Sequence, residues 1–167
     1  MERLSTIPEK APNQEIERKF IIKSLPNNIE QYPHKEIMQG YLTIDENKEK
    51  IRLRKKGEKY FKTIKSGSGK VRTEIEEEIT EKVFNSLWDN TKGKRIEKTR
   101  YEIPNESGII ELDIYRGDLD GLVTAEVEFN NVEDCDKFIP PDWFGEEKTD
   151  DDKYQNHNLA LHGLPKE

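Results

Sequence analysis

The chain has 167 residues and a formal net charge of -7, and 38% of its residues are charged against 32% that are hydrophobic. This length suits one domain and leaves little room for two, and the acidic balance argues against nucleic acid as the main partner. Apolar residues recur in short alternating runs, which indicates a folded, strand-rich chain rather than a disordered one. We therefore predict a loose N-terminal leader over residues 1–13 and a single domain over residues 14–167.

The positions of the charged residues and of the cysteine indicate what kind of ligand and which compartment to expect. Residues 48–72 contain eleven Lys or Arg and only two Glu, which predicts a cationic surface or cavity for an anionic ligand. Cys135 is the only cysteine, so no internal disulfide can form and a reducing compartment is expected. No apolar run approaches the ~20 residues that span a membrane. We expect a cytoplasmic protein, monomeric or homodimeric, that binds neither membrane nor nucleic acid.

Strands follow one another closely along the chain. The alternation of apolar and polar residues predicts eight of them, over residues 14–22, 37–45, 49–55, 59–66, 70–79, 95–103, 109–116 and 123–130. Turn residues join several of these strands, as in the SGSGK stretch at residues 66–70 and the PNESG stretch at residues 104–108, and both stretches are typical of hairpin loops. The GSGK stretch lacks the spacing of a nucleotide-binding P-loop, so we interpret it as a turn.

Helical patterns occur at three places. Thr80 is an expected N-cap, and an apolar stripe at helical spacing follows it before Gly93 ends the helix; the stripe consists of Val83, Phe84, Leu87 and Trp88. A shorter helix is predicted over residues 132–138, because Pro140 and Pro141 stop it. The tail sequence DKYQNHNLALHG is expected to add a last helical turn.

Six of the predicted strands carry charged residues two positions apart, which places those charges on one face of the strand. These same-face sets are Glu15/Glu17, Arg52/Arg54, Arg72/Glu74/Glu76/Glu78, Lys98/Arg100, Glu111/Asp113 and Glu126/Glu128. Any sheet with one wet face alternates apolar and polar residues, but neighbouring like charges repel unless opposite charges or a charged ligand face them. The charged faces therefore point either to bulk water or into the lumen of a barrel whose apolar outside is covered by helices.

Short strands with tight connections favour a mainly β (α+β) fold. We predict an eight-stranded antiparallel closed barrel with a charged lumen and a few short helices outside, because closure also removes exposed edges. A charged lumen must stay hydrated or hold a ligand. Paired glutamates offer the oxygen ligands that suit Mg²⁺, Mn²⁺ or Ca²⁺, while Arg and Lys suit phosphate oxygens. The combination indicates a site for a metal and a polyphosphate.

Short segments along the chain resemble those of the CYTH family, also called triphosphate tunnel metalloenzymes, and follow the family's order. They are EIERKF, which fits the family's ExExK signature, and QGYL, IRLRK, TIKSGSG, VRTEIE, EKTRYEI, ELDIY, AEVEF, PPDWFGEEKT and YQNHNLA. The resemblance covers about residues 14–161 and is closest to short bacterial members similar to tripolyphosphatases. It implies an eight-stranded tunnel whose inward side chains bind a triphosphate and divalent cations.

The resemblance also implies roles for individual residues by their position. The metal-binding acids would be Glu15, Glu17, Glu126 and Glu128. The phosphate-binding bases would be Lys19, Arg52, Arg54, Lys65, Arg72, Lys98 and Arg100. Supporting acids of the lumen would be Glu76 and Asp113. The base that activates water would be Glu74, Glu126 or Glu128, unless a metal-bound hydroxide makes a side-chain base unnecessary. Lys62 is left out, since it falls on the opposite face from Lys65.

By resemblance, the expected activity is that of a divalent-metal-dependent triphosphatase. It would use Mg²⁺ or Mn²⁺, with two ions per site when substrate is bound, and would hydrolyse the terminal phosphoanhydride of inorganic tripolyphosphate or a related triphosphate by in-line attack of water. A thiamine triphosphatase or a class IV adenylate cyclase is an alternative, although each needs a pocket for an organic group. A non-catalytic polyphosphate-binding module is a further alternative, but simple anion binding would not need metal-binding acids.

Overall fold

The computed structural model describes residues 9–45, 49–68 and 70–166, so residues 1–8 of the predicted leader lie outside the described part. Within these ranges the strands are β1 (Gln14–Ile22), β2 (His34–Ile44), β3 (Glu49–Lys56), β4 (Lys59–Ser68), β5 (Val71–Ile79), β6 (Arg95–Asn105), β7 (Gly108–Arg116), β8 (Val123–Glu128) and β9 (Phe144–Glu147). The helices are α1 (Glu81–Trp88), α2 (Val132–Lys137) and α3 (Asn156–His162). Short 3₁₀ turns cover Ile29–Gln31, Asp89–Thr91, Gly117–Leu119 and Asp152–Tyr154.

The sheet is antiparallel and closes on itself. Its strand order is β5-β4-β3-β2-β6-β7-β8-β1-β9, and β1 pairs with β5 as well. Closure is short, because β5 pairs with β1 only from Gln14 to Ile16. Beyond that point β9 takes the place of β5 and pairs with Phe20 and Ile22 of β1. The predicted eight-stranded closed barrel is thus confirmed, and β9 is an additional strand that the sequence pattern did not indicate.

Local sequence explains the first helix and its position outside the barrel. The Thr80 hydroxyl accepts a hydrogen bond from the Val83 backbone N–H at 3.1 Å, as expected for an N-cap. The Phe84 ring contacts Tyr60 of β4 on one side and stacks on Trp88 on the other, each with 4.9 Å between ring centroids. Thus α1 covers the outer face of β4. Within the described residues, no helix is both long and apolar enough to cross a membrane.

A second cover lies over the outer faces of β1, β7 and β8. It is a buried apolar cluster that includes Phe20, Val127, Phe138 and Phe144. Arg18, also on the outer face of β1, holds this cover in place. Its guanidinium donates hydrogen bonds to Glu147 at 2.8 and 2.9 Å and to the backbone carbonyls of Cys135 and Phe138 at 3.0 Å. The predicted cover is therefore present on this side of the barrel. It does not extend to β5, where Ile75 is 52% exposed.

The C-terminal segment closes the inner end of the lumen. Tyr154 and Leu159 pack against inward residues of the barrel wall, including Ile96 and Tyr115, and form a buried apolar cluster. Two polar contacts fix the segment in place: the Lys19 ammonium donates to the Tyr154 carbonyl at 2.6 Å, and the Tyr115 hydroxyl donates to the Asn156 side chain at 3.1 Å. This end of the lumen is therefore packed with apolar side chains of the C-terminal segment.

Candidate active site

The charged part of the lumen is a cavity of about 370 Å³, which lies near the lower end of the roughly 300–1,000 Å³ of typical small-molecule sites. Seven acidic, six basic and three amide side chains line it: Glu15, Glu17, Glu74, Glu76, Glu111, Glu126, Glu128, Lys10, Arg52, Arg54, Lys56, Lys65, Arg100, Asn13, Gln14 and Asn156. This lining can bind an anion and a cation together, because both signs of charge face the same small volume.

The strand register explains why these side chains meet. Arg52 of β3 lies opposite Thr63 of β4, and Thr63 lies opposite Glu76 of β5, so all three point inward. The same register places Lys62 opposite Leu53, on the outer face, as predicted. Ten of the predicted site residues line the cavity: Glu15, Glu17, Arg52, Arg54, Lys65, Glu74, Glu76, Arg100, Glu126 and Glu128. Four predicted residues do not, namely Lys19, Arg72, Lys98 and Asp113.

Those four residues form a supporting layer behind the cavity wall. The Lys19 ammonium lies 3.6 Å from Glu126, and the Arg72 guanidinium donates to Glu17 at 3.2 Å. Lys98 and Asp113 are both completely buried and their charged atoms are 2.8 Å apart. All four lie deeper in the barrel than predicted, where they contact other charged side chains rather than the cavity.

Two pairs of carboxylates dominate the acidic side of the cavity. Glu15 shares a hydrogen bond with Glu74, and Glu17 shares one with Glu126. Burial and the bond to Glu74 raise the pKa of Glu15 to about 8, and burial together with Glu126 raises the pKa of Glu17 well above its usual value. Both shifts have the same physical origin, since two adjacent buried carboxylates cannot both ionise easily.

The partner acids stay ionised because cations surround them. Burial alone would raise the pKa of Glu126, but Lys19 and Arg100 outweigh burial and lower that pKa well below its usual value. The pKa of Glu74 is also raised by burial, but the bond from Glu15 and the charge of Lys65 lower it to about 2. In each pair the pKa of one carboxyl is therefore raised while the pKa of its partner is lowered.

Arginines form the opposite wall of the cavity. The Arg54 guanidinium donates to Glu76 at 3.1 Å, and Arg52 donates to the Thr63 hydroxyl at 3.2 Å. Thr63 in turn donates to the same Glu76 oxygen at 2.9 Å. Burial and the charge of Arg52 lower the pKa of Arg54 to about 10, so the guanidinium still carries its charge at neutral pH. Two fixed guanidinium groups side by side suit phosphoryl oxygens, which accept two parallel hydrogen bonds.

Arg100 is held in the cavity by a buried ion cluster. It donates to both oxygens of Asp113 at 2.8 and 2.9 Å, and the Lys98 ammonium lies 2.8 Å from one of the same oxygens. Burial would raise the pKa of Asp113, but Arg100 and Lys98 lower it to about 2. Burial lowers the pKa of Lys98 to about 7 despite the attraction of Asp113. The cluster therefore orients Arg100 toward the cavity.

The acidic side of the cavity fits a divalent cation, although no three acidic, histidine or cysteine side chains in residues 9–45, 49–68 and 70–166 converge into a ready-made metal site. Within the part of the chain that the structure describes, a buried oxygen of Glu15 has no hydrogen-bond partner, and the Lys65 ammonium lies 3.7 Å from it. The raised pKa values of Glu15 and Glu17 show that their neighbourhood disfavours more negative charge. A hard cation would satisfy that oxygen and replace the shared protons, and carboxylate oxygens are the ligands that Mg²⁺ and Mn²⁺ prefer.

The sequence analysis assigned no role to several residues that line the cavity. Glu111 was placed on the same face as Asp113 but received no role, and Lys56 alternates with Arg54, so the same-face rule would have found it as well. Asn156 and the mouth residues Lys10, Asn13 and Gln14 follow no alternating pattern that points to the lumen. Gln14 is the first residue of β1, and the other three come from segments that precede or follow the barrel, so only the packed structure brings them to the site.

A closed antiparallel barrel with acids and bases facing one lumen defines a tunnel-like site for an anion and its counter-cations. The family model of the CYTH domain matches residues 13–151. The chain therefore belongs to the CYTH domain family, and the predicted family is confirmed.

Characterised relatives extend over nearly the whole chain. An inorganic triphosphatase of Nitrosomonas europaea is 44% identical over 149 residues, which cover 88% of this chain and 97% of that protein. An inorganic triphosphatase of Acetivibrio thermocellus is 36% identical over 154 residues, which cover 88% of this chain and 93% of that protein. A crystal structure of an inorganic triphosphatase has a TM-score of 0.67 at 42% identity and covers 88% of this chain and 94% of that one.

Proposed function

We propose that this protein hydrolyses inorganic tripolyphosphate in a divalent-metal-dependent reaction. Water attacks a terminal phosphorus in line with the bridging oxygen, so that the phosphoanhydride bond breaks and phosphate and pyrophosphate are released. The observation that carries the proposal is the single small cavity in which carboxylates face arginines and lysines inside a closed barrel. The similarity to an inorganic triphosphatase at 44% identity supports the same activity.

The basic side chains of the cavity bind the phosphate chain in this proposal. Arg52, Arg54 and Arg100 offer guanidinium groups whose orientation is fixed by Thr63, Glu76 and Asp113, and Lys65 and Lys56 add point charges. Fixed cations of this kind hold the chain straight and stabilise the charge on the equatorial oxygens during attack. Lys19, Arg72 and Lys98 act behind the wall, where they set the charge and position of the acids.

The acids Glu15, Glu17, Glu126 and Glu128 hold the divalent cation, which we propose to be Mg²⁺ or Mn²⁺, with two ions bound together with substrate. When bound, such ions neutralise phosphate charge and lower the pKa of coordinated water. Glu76 and Asp113 remain bound to arginines, as their hydrogen bonds indicate. They therefore support the anion site rather than the cation site.

Glu128 is the acid best suited to accept the proton of the attacking water. Burial raises its pKa above the usual value, although Lys10 opposes that effect, and its side chain is 50% exposed at the mouth, where water has access. Glu74 and Glu126 are weaker bases, because neighbouring cations and hydrogen bonds lower their pKa values. A general base works best when its pKa lies near the working pH.

A substrate panel tests the activity. The protein is incubated with Mg²⁺, Mn²⁺ or EDTA and, in turn, with tripolyphosphate, ATP, thiamine triphosphate and pyrophosphate, and the release of phosphate, pyrophosphate and cyclic AMP is followed. The proposal expects the fastest phosphate release from tripolyphosphate and none in EDTA. Cyclic AMP with pyrophosphate would identify a cyclase instead, and activity that persists in EDTA would refute the metal dependence.

A matched pair of variants tests the assigned acids. Glu17→Gln keeps the shape of a buried side chain but removes its charge, so we expect turnover to fall by orders of magnitude. The melting temperature should stay equal or rise, since burying a carboxylate is unfavourable. Glu97→Gln, at an exposed position on the outer face of β6, is the control. Full activity in Glu17→Gln would remove this residue from the site.

A further inference from the structure

The segment that precedes β1 lies across the mouth of the cavity and is tied down on both sides. The Lys10 backbone N–H donates to the Asn130 carbonyl after β8 at 2.7 Å, and the Glu74 N–H of β5 donates to the Asn13 carbonyl at 2.6 Å. Asn13 adopts a left-handed conformation with φ of 65°, which lets the chain turn into β1. We call residues 9–14 the mouth segment. It connects β8 to β5 across the start of β1.

The mouth segment brings one positive charge to the cavity. The Lys10 ammonium is 3.7 Å from Glu128, with side-chain exposures of 31% and 50%. This distance exceeds that of a direct hydrogen bond, so an arriving anion can take up the ammonium donors. Lys10 also lies outside residues 13–151, which match the family model.

The closed inner end determines which part of a substrate meets Lys10. Tyr154 and Leu159 fill the inner end of the lumen, so an organic group attached to a triphosphate has to lie at the mouth. For a nucleoside triphosphate, the phosphoryl group at the mouth is esterified and carries only one ionisable oxygen. For inorganic triphosphate, the same position holds a free terminal phosphoryl group with one more ionisable oxygen and nothing beyond it.

We propose that Lys10 is a specificity-determining residue that binds the outermost phosphoryl group and favours inorganic triphosphate over nucleoside triphosphates. The inference rests on the proposed function for its catalytic readout. The ammonium leaves Glu128 for the more highly charged free terminal phosphoryl group, which it binds through charge-assisted hydrogen bonds. An esterified phosphoryl group attracts it less, and the ester substituent occupies the space that the lysine side chain needs.

The test compares Lys10→Ala, Lys10→Arg and the control Lys137→Ala, which removes a lysine paired with Glu133 on the outside of α2. Initial rates are measured with tripolyphosphate and with ATP, and calorimetry measures tripolyphosphate binding in metal-free buffer. Lys10→Ala should raise the KM for tripolyphosphate and the Kd about five- to tenfold, a range typical of one partly exposed charged contact. Its KM for ATP should change less than about twofold, and its kcat should change by the same factor for both substrates, because Lys10 also lies beside Glu128. Lys10→Arg should restore most of the binding.

Each of these measurements either supports or overturns the role of Lys10 in binding. An unchanged Kd in Lys10→Ala, an equal loss for tripolyphosphate and ATP, or an equal loss in Lys137→Ala would overturn the inference, because the effect would then be absent, unselective or due to net charge. A wild-type protein that hydrolyses no triphosphate would refute the proposed function instead. The calorimetric comparison would still decide whether Lys10 binds the anion.

Discussion

Replacing Asp113 with asparagine should destabilise the protein strongly, although the two side chains have nearly the same shape. Asp113 is completely buried, accepts two hydrogen bonds from Arg100 and lies 2.8 Å from the Lys98 ammonium. In the Asp113→Asn variant both cations lose their buried counter-charge, and the amide N–H₂ competes with them as a donor. Removing one partner from a buried ion pair costs about 3–5 kcal/mol.

A second route to the magnitude uses the pKa of Asp113, which burial would raise but which Arg100 and Lys98 lower from 3.8 to about 2. This difference corresponds to roughly 2.5 kcal/mol of stability at neutral pH. Lys98 limits the loss in the variant, because its pKa is already about 7 and it can release its proton. We therefore expect the free energy of unfolding to fall by about 3 kcal/mol.

Urea denaturation at pH 7, with Asp118→Asn at an exposed position as the control, measures this loss. The difference between wild type and Asp113→Asn should shrink as the pH falls from 4 toward 2, since a carboxyl whose folded-state pKa is lowered contributes its stability only above that range. A loss below about 1 kcal/mol at pH 7 would refute the reasoning, because the buried cations would then need no counter-charge.

Three further predictions concern binding, acid stability and packing. Arg54→Ala should raise the KM for tripolyphosphate about tenfold or more in initial-rate assays, because a fixed guanidinium is lost from the cavity wall; unchanged kinetics would remove Arg54 from the site. Burial and the charge of Lys50 lower the pKa of His157 from 6.5 to about 4, so stability should fall by about 2–3 kcal/mol between pH 6.5 and 4 as the unfolded chain takes up a proton. Urea titrations of His157→Gln should show a smaller decrease over that range, and an identical decrease would contradict the assignment. Gly40→Ala should lower the melting temperature, because a Cβ there would lie 2.6 Å from the Thr91 Cβ; an unchanged melting temperature would show that this contact relaxes freely.

The barrel and the direction of its side chains could be predicted from the sequence, because both follow from a period of two. Like charges at alternate positions, such as Arg52 and Arg54 or Glu126 and Glu128, left two possibilities, a face toward water or a lumen, and the resemblance to the CYTH family favoured the lumen. The same rule correctly placed Lys62 outside. In a barrel, the inward face of each strand, the register between strands and the closure of the sheet depend on one another. The direction of the charged face therefore determines most of the fold.

How deep each inward side chain lies along the lumen could not be predicted from this alternation. Lys98 and Arg100 share a face, yet Lys98 is fully buried behind Asp113 whereas Arg100 lines the cavity. Their difference depends on strand stagger and on what fills the inner end, and alternation contains no information about either. Lys10 and Asn156 were missed for a related reason, since they come from segments outside the strands whose positions depend on tertiary contacts.

The closed inner end also has a kinetic consequence. Under the proposed function, Tyr154 and Leu159 at that end would make a phosphate chain enter and its fragments leave through the charged opening. A long polymer would then be shortened only from a terminus and would dissociate before the next cut. We therefore expect distributive turnover on extended polyphosphates, with retained pyrophosphate blocking the entry of the next molecule.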